Sequence, residues 1–220
     1  MTLITHIWTK DFNIVAADTR RNHTDENRNT EFIDDVCKLY FGNNFVIGVY
    51  GAFYIEGIKS LSQELQNFID KHINDSGEKI AIKLLEFYKS LNTYISTKFI
   101  VAGRSNNVPR AYYLSNYEGC IKFDHLNIDS VQLINGYEFS LRTNKLYNHP
   151  KYGLMLMDSF NEKITIRNES EGNIELPLDN CINVLNDFYS KIIKDESEPG
   201  IGGEIQYVIL KNDSIERSWS

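Results

Sequence analysis

The stretch Thr2-Leu3-Ile4-Thr5-His6-Ile7-Trp8-Thr9-Lys10-Asp11-Phe12-Asn13-Ile14-Val15-Ala16-Ala17-Asp18-Thr19-Arg20 decides how this chain reads. Leu3 to Trp8 has the composition of a short strand, Thr9-Lys10-Asp11 that of a polar turn, and Phe12 to Ala17 that of a returning strand. An antiparallel hairpin of this kind carries Asp18 back beside the chain start. Thr2 is small enough that loss of Met1 is expected, and the freed α-amine would titrate near about 7.7–8.0. That amine can take the hydroxyl proton of its own residue, so Thr2 would hold a nucleophile and a base together. A carboxylate at Asp18 can orient a neighbouring cation and tune how readily the amine accepts a proton.

Composition bounds the rest. The chain has 220 residues with 23 Lys+Arg against 30 Asp+Glu, a formal net charge of −7. The basic residues are scattered apart from Arg20-Arg21, so no nucleic-acid footprint is present and no nucleic-acid partner is expected. Three cysteines, Cys37, Cys120 and Cys181, have neither metal nor redox spacing, and an odd number argues against a disulfide framework; they read as reduced core or strand residues. The five histidines form no ligand pattern, and His6 reads as core or surface filler. No metal and no cofactor are expected. Positions 1–20 lack a secretory pattern, and the longest uncharged apolar run, Phe45 to Ile55, falls well short of the roughly 20 residues that span a bilayer. A cytoplasmic protein without a membrane partner is the expectation.

Beyond the first hairpin, Val36 to Tyr40 and Phe45 to Gly51 read as a second one. The period then changes. Ile58, Leu61, Leu65, Phe68, Ile69 and Ile73 recur at helical spacing and predict a helix from about Tyr54 to Ile73. Asp75-Ser76-Gly77-Glu78 predicts a turn with a capping box in which Asp75 serves the next helix and Glu78 answers it. Ile80, Leu84, Phe87, Tyr88, Leu91 and Ile95 form the apolar stripe of that helix. Strands resume at 99–103, 111–114 and 120–123. Residues 137–176 predict a helix around Phe139–Tyr147, followed by an irregular or hairpin segment through Ile164-Thr165-Ile166. Leu178 to Ile193 is amphipathic again, and the last hairpin turns at Asn212-Asp213. Strands, two helices, strands, helices and strands in this order suit an α+β fold, a four-layer α-β-β-α sandwich with two antiparallel sheets. Without internal repeat, linker or low-complexity tract, residues 1–220 read as one domain.

Three segments together resemble proteasome β-subunits and the bacterial HslV peptidase, members of the N-terminal-nucleophile hydrolases. They are Thr2 with its spacing to Asp18, the run Val36-Cys37-Lys38-Leu39-Tyr40 followed by Phe45-Val46-Ile47-Gly48-Val49-Tyr50-Gly51, and Gly202-Gly203-Glu204-Ile205-Gln206-Tyr207-Val208-Ile209-Leu210. They cover roughly the first 55 residues and the last 25. The resemblance implies a threonine-type peptidase or amidohydrolase: Thr2 as nucleophile, Asp18 orienting, and the backbone N–H of Gly51 as oxyanion donor. It further implies self-association into rings, a peptide or protein substrate, and a family in which unfoldase partners occur.

This chain also departs from the family. Its lysine position aligns with Asp35, and Lys38, three residues on, is expected on the opposite face of a strand. Glu198 and Ile201 stand where the family has Asp and Ser, and Asn135-Gly136-Tyr137 lacks the family's serine. Two readings follow: a threonine hydrolase, or a proteasome-like shell or scaffold subunit without activity in which the same residues only shape the fold.

Overall fold

The computed structural model describes residues 2–9, 11–24, 27–51, 61–90, 97–105, 108–117, 120–125, 132–134, 137–143, 150–163, 177–195 and 197–219. In chain order the strands are β1 (Ile4–Thr9), β2 (Phe12–Asp18), β3 (Arg21–Thr24), β4 (Thr30–Ile33), β5 (Leu39–Phe41) and β6 (Phe45–Gly51). Helices α1 (Leu61–Lys71) and α2 (Gly77–Ser90) follow, then β7 (Thr97–Ser105), β8 (Val108–Tyr117), β9 (Cys120–His125), β10 (Gln132–Ile134) and β11 (Tyr137–Thr143). Helices α3 (Pro150–Lys163) and α4 (Leu178–Ile193) precede the closing hairpin of β12 (Ile205–Lys211) and β13 (Ile215–Trp219).

The strands form a six-stranded sheet in the order β10-β11-β1-β2-β12-β13, a five-stranded sheet β5-β6-β7-β8-β9 and a two-stranded β3-β4 hairpin. Every described pairing is antiparallel. The expectation of two sheets in a four-layer sandwich is therefore corrected. The described residues make a mostly β protein with three antiparallel sheets and four helices, because β3 and β4, unassigned from sequence, pair with each other as a separate and largely exposed two-stranded sheet.

The two large sheets read as near-continuous apolar runs because both faces of their central strands are covered. On β2, Ile14 and Ala16 belong to the core under α3 and α4, whereas Val15 and Ala17 face the five-stranded sheet. On β6, Ile47 and Val49 pack under α1 and α2, whereas Val46 and Tyr50 join the core between the sheets. Gly48 allows that close approach, since a Cβ there would sit 3.3 Å from Ile4 Cδ1 and 3.4 Å from Val15. Full burial of each Val, Leu, Ile or Phe in these clusters contributes about 1.5–3 kcal/mol.

Most expected elements appear in register with their apolar spacing. Leu61, Leu65, Phe68 and Ile69 are the buried stripe of α1, and Cys181, Val184, Leu185, Phe188, Tyr189 and Ile192 that of α4. Residues 52–60 and 91–96, over which the first two helices were expected to extend, lie outside the described residues, as do Ile164-Thr165-Ile166 and Asn135-Gly136. Other expectations are corrected. Tyr137–Thr143 is strand β11 instead of the start of a helix, laid against β1 with Thr5 opposite Thr143 and Thr9 opposite Phe139. Helix α3 stands where the sequence predicts no helix. The capping box at the head of α2 does not form. Ser76 Oγ accepts from Lys79 N–H at 3.4 Å, while the Asp75 carboxylate engages Lys83 at 2.8 Å and His72 at 3.2 Å. Cys181 is a core residue, but Cys37 is exposed and precedes β5. Among the described residues no helix is long and apolar enough to cross a membrane, and no group of three or more His, Cys, Asp or Glu could hold a metal ion.

Candidate active site

The β1-β2 hairpin brings the chain start and Asp18 together as its length requires. Ile4 pairs with Ala17, Asp18 N–H donates to Leu3 O at 3.2 Å, and Leu3 N–H donates to Asp18 Oδ1 at 2.8 Å. Leu3 O also accepts from the hydroxyl of Tyr189, which reaches it from α4 at 3.3 Å. The peptide group next to Thr2 is thus held by Asp18 through Leu3 N–H, and the following one by Asp18 N–H and Tyr189 through Leu3 O. Thr2 itself is 9% exposed.

Lys38 completes the cluster. Its Nζ donates to Asp18 Oδ1 at 2.8 Å and to Arg20 O, and both its side chain and that of Asp18 are fully buried. Asp18 Oδ2 accepts from Gly202 N–H at 3.3 Å. All of these partners of the Asp18 carboxylate are donors, so the ionised form fits the site. Burial pushes Asp18 up from the ordinary carboxylate value, against the pull of Lys38 and the Leu3 and Gly202 amides. Burial likewise pushes Lys38 down, against the pull of Asp18.

The expectation that Asp35 takes the lysine position and Lys38 faces away is therefore wrong. Strand alternation does not govern this segment: 34–38 have no regular structure, and Asp35 adopts φ 65°, in the left-handed region. One such residue resets which way the following side chains point. Asp35 is exposed. Its neighbour Asp34 makes a bidentate pair with Arg20, Nε to Oδ1 at 2.7 Å and Nη2 to Oδ2 at 3.0 Å. The hydrogen bonds from Arg20 hold the Asp34 carboxyl below its usual value.

The Gly-Gly segment closes the third side. Arg20 N–H donates to Gly202 O and Thr19 N–H to Glu204 O, both at 3.0 Å, while Thr19 Oγ1 accepts from Glu204 N–H at 2.8 Å. Gly203 has φ +72°, and a Cβ there would collide with Thr19 Oγ1. Glu198 is buried and raises the Tyr152 hydroxyl further above its ordinary value, beyond the effect of burial. Ile201 is buried in the apolar core under α4.

Gly51 is the exposed last residue of β6, with φ 105°. It lies two residues beyond Val49, whose N–H donates to Lys38 O at 2.9 Å, so the strand that holds Lys38 ends in this glycine. The structure thus brings Asp18 and Lys38 into contact beside Thr2 and places Gly51 at the end of the adjoining strand. Lys38 is the residue that sequence reasoning missed. Its signal in the sequence is that it is the one basic residue in Val36-Cys37-Lys38-Leu39-Tyr40.

No family model matches the chain, and no curated protein matches it. Among solved structures, the chain is similar to the Gly-1 mutant of Anbu from Hyphomicrobium sp. strain MC1, with a TM-score of 0.65 and 15% identity over 100% of this chain and 86% of that one. The narrower resemblance to proteasome β-subunits and HslV is corrected accordingly: at this identity the likeness establishes the fold alone, one shared with that distant protein.

Proposed function

We propose that this protein is a proteasome-like N-terminal threonine hydrolase of peptide or amide bonds, with Thr2 as nucleophile once Met1 is removed. The freed α-amine takes the Thr2 hydroxyl proton as Oγ attacks the substrate carbonyl carbon. The negative charge that develops on the carbonyl oxygen is met by the backbone N–H of Gly51, a preorganised donor of a type that contributes about 3 kcal/mol. The α-ammonium then protonates the departing amine, leaving an ester on Thr2. Water, deprotonated by the same α-amine, cleaves that ester and restores the hydroxyl. Asp18 orients the first peptide group through Leu3 N–H, and the Lys38 ammonium disfavours a second positive charge nearby, which keeps the amine neutral at physiological pH.

The observation that carries this reading is the buried Lys38–Asp18 pair, whose acceptor oxygen also binds the amide adjoining Thr2. The test uses protein in which cleavage of a leading fusion exposes Thr2, incubated with fluorogenic peptides and an N-terminal-threonine-directed epoxyketone. Turnover and labelling at Thr2, both lost in Thr2→Ala, are expected. No labelling at any pH overturns the reading in favour of a non-catalytic shell or scaffold subunit, which the low exposure of Thr2 and the absence of the family's serine at Ile201 favour.

The same reading includes a cytoplasmic, closed homo-oligomeric ring acting on peptides or unfolded protein, with an unfoldase as a further partner. A heterologous interface closes into a ring when its rotation allows. Exposed Ile73, just after α1, and exposed Ile82, on α2, support the helix α1–α2 side as the contact. Sedimentation well above the 25.5 kDa protomer is expected; a monomer across a wide concentration range overturns the ring.

A further inference from the structure

We infer that Gln206 is a positioning residue for the proposed reaction, setting where Lys38 stands relative to Asp18 and thereby how basic the Thr2 α-amine is. The inference rests on the hydrolase reading and goes beyond it.

Gln206 occupies a position that the sheet reserves for apolar side chains. On β12, Ile205, Tyr207 and Ile209 face the core under α4, while Val208 and Leu210 face the core between the sheets. Gln206 falls by alternation on the second face and is only 2% exposed. A buried amide costs free energy unless its donors and acceptors are matched. Here both ends of the amide are used. Oε1 accepts from Lys38 N–H at 3.1 Å and from Leu39 N–H at 3.3 Å, and Nε2 donates to Val36 O at 3.0 Å and to Asp18 O at 3.4 Å.

The partners explain what the amide does. Residues 34–38 have no regular structure, and few backbone bonds hold them: Val36 N–H donates to Thr19 O and Val49 N–H donates to Lys38 O, both at 2.9 Å. Gln206 adds the constraint on the Lys38 and Leu39 amides from the other sheet. Because β12 also pairs with β2, Gln206 opposite Ala17, its own backbone is locked to the strand that ends in Asp18. One side chain therefore grips the Lys38 backbone and the Asp18 carbonyl at once. The ammonium-to-carboxylate separation follows from that grip. An apolar residue would fill the same space but leave the Lys38 and Leu39 amides without their acceptor, and the segment would move.

The test measures the Thr2 α-amine directly in protein with a free Thr2, through the pH dependence of its acetylation by acetic anhydride, located by peptide mass spectrometry. This readout does not require turnover. Lys38→Met is the reference: loss of the cation leaves the Asp18 charge uncompensated and raises the amine pKa. Gln206→Met is expected to raise it in the same direction, by roughly half a unit or more, since a displaced charge acts as a weakened one. In peptide hydrolysis the acid limb of the rate profile should move up by the same amount, with kcat falling more than KM changes. If Lys38→Met moves the amine pKa and Gln206→Met does not, the inference is overturned and the hydrolase reading stands. If neither moves it, the inference falls together with the role given to Lys38. If Gln206→Met moves it but the parent protein neither turns over nor labels, Gln206 still places Lys38, while the hydrolase reading and with it the role of that placement in a reaction are overturned. Should Gln206→Met not fold, Gln206→Asn, one methylene too short to span the same partners, is read in the same way.

Discussion

The Lys38 ammonium and the Asp18 carboxylate meet at 2.8 Å with both side chains removed from solvent, one from the edge of the five-stranded sheet and one from the centre of the six-stranded sheet. A buried pair of this kind is weak evidence for net stability, because desolvation opposes the Coulombic gain. It is strong evidence for interdependence, because either charge alone would be stranded. Here the pair joins the two large sheets beside the chain start.

Lys38→Met is expected to destabilise the fold by about 3–5 kcal/mol by leaving Asp18 as an uncompensated buried charge. Asp18→Asn should also destabilise, with Lys38 then the stranded group. The double variant should be more stable than the sum of the singles implies, since it removes both charges. Urea denaturation of the four proteins checks this through the coupling energy, and additive losses would show that the two groups do not act as a pair.

Hydrolysis by protein with a free Thr2 should be active at pH 7, with an acid limb below the unperturbed amine range of about 7.7–8.0. The sign follows from placement. The Asp18 charge is already engaged by Leu3, Gly202 and Lys38, so the ammonium is the charge that disfavours protonation of the amine. A rate profile from pH 5.5 to 9.5 checks it, and Lys38→Met should shift the limb upward.

Asp35→Lys should leave the rate within about twofold, as exposed substitutions away from a site usually do. Asp35 is exposed, and Asp18 already has its lysine in Lys38. A rise in reactivity at neutral pH would mean that residues 34–38 sit in the other register.

The Arg20–Asp34 pair should contribute a pH-dependent increment of less than about 1 kcal/mol, since both side chains are partly solvated. Asp34 is held below its ordinary value of 3.8, so the increment is fully present above that value and is lost as pH falls through the lower, folded one. Urea midpoints of the parent and Asp34→Asn, compared at pH 7 and pH 3, should differ at the higher pH and converge at the lower.

Gly203→Ala should cost about 1–3 kcal/mol. The residue sits at φ +72°, and its new Cβ would strike the Thr19 hydroxyl that accepts from Glu204. Thermal denaturation checks the loss, and a neutral outcome would mean that the Gly-Gly turn relaxes without disturbing Asp18.

The sequence by itself determined the elements whose signal is local. The β1-β2 hairpin follows from two apolar runs around a polar turn, and it alone is enough to bring Thr2 and Asp18 together. Helix α4 follows from its apolar spacing, and the β12-β13 turn from Asn212-Asp213. Strand β11 is legible as well, against the expected helix: Tyr137, Phe139 and Leu141 alternate with Glu138, Ser140 and Arg142. What only the tertiary structure decided is the position of Lys38. Alternation predicts the direction of a side chain only while the backbone stays extended, and Asp35 leaves that region. The segment is then held by an amide on Gln206, far along the chain, which no local pattern announces. Periodicity is written by the backbone within a few residues, whereas this cluster is assembled by hydrogen bonds between strands of two different sheets.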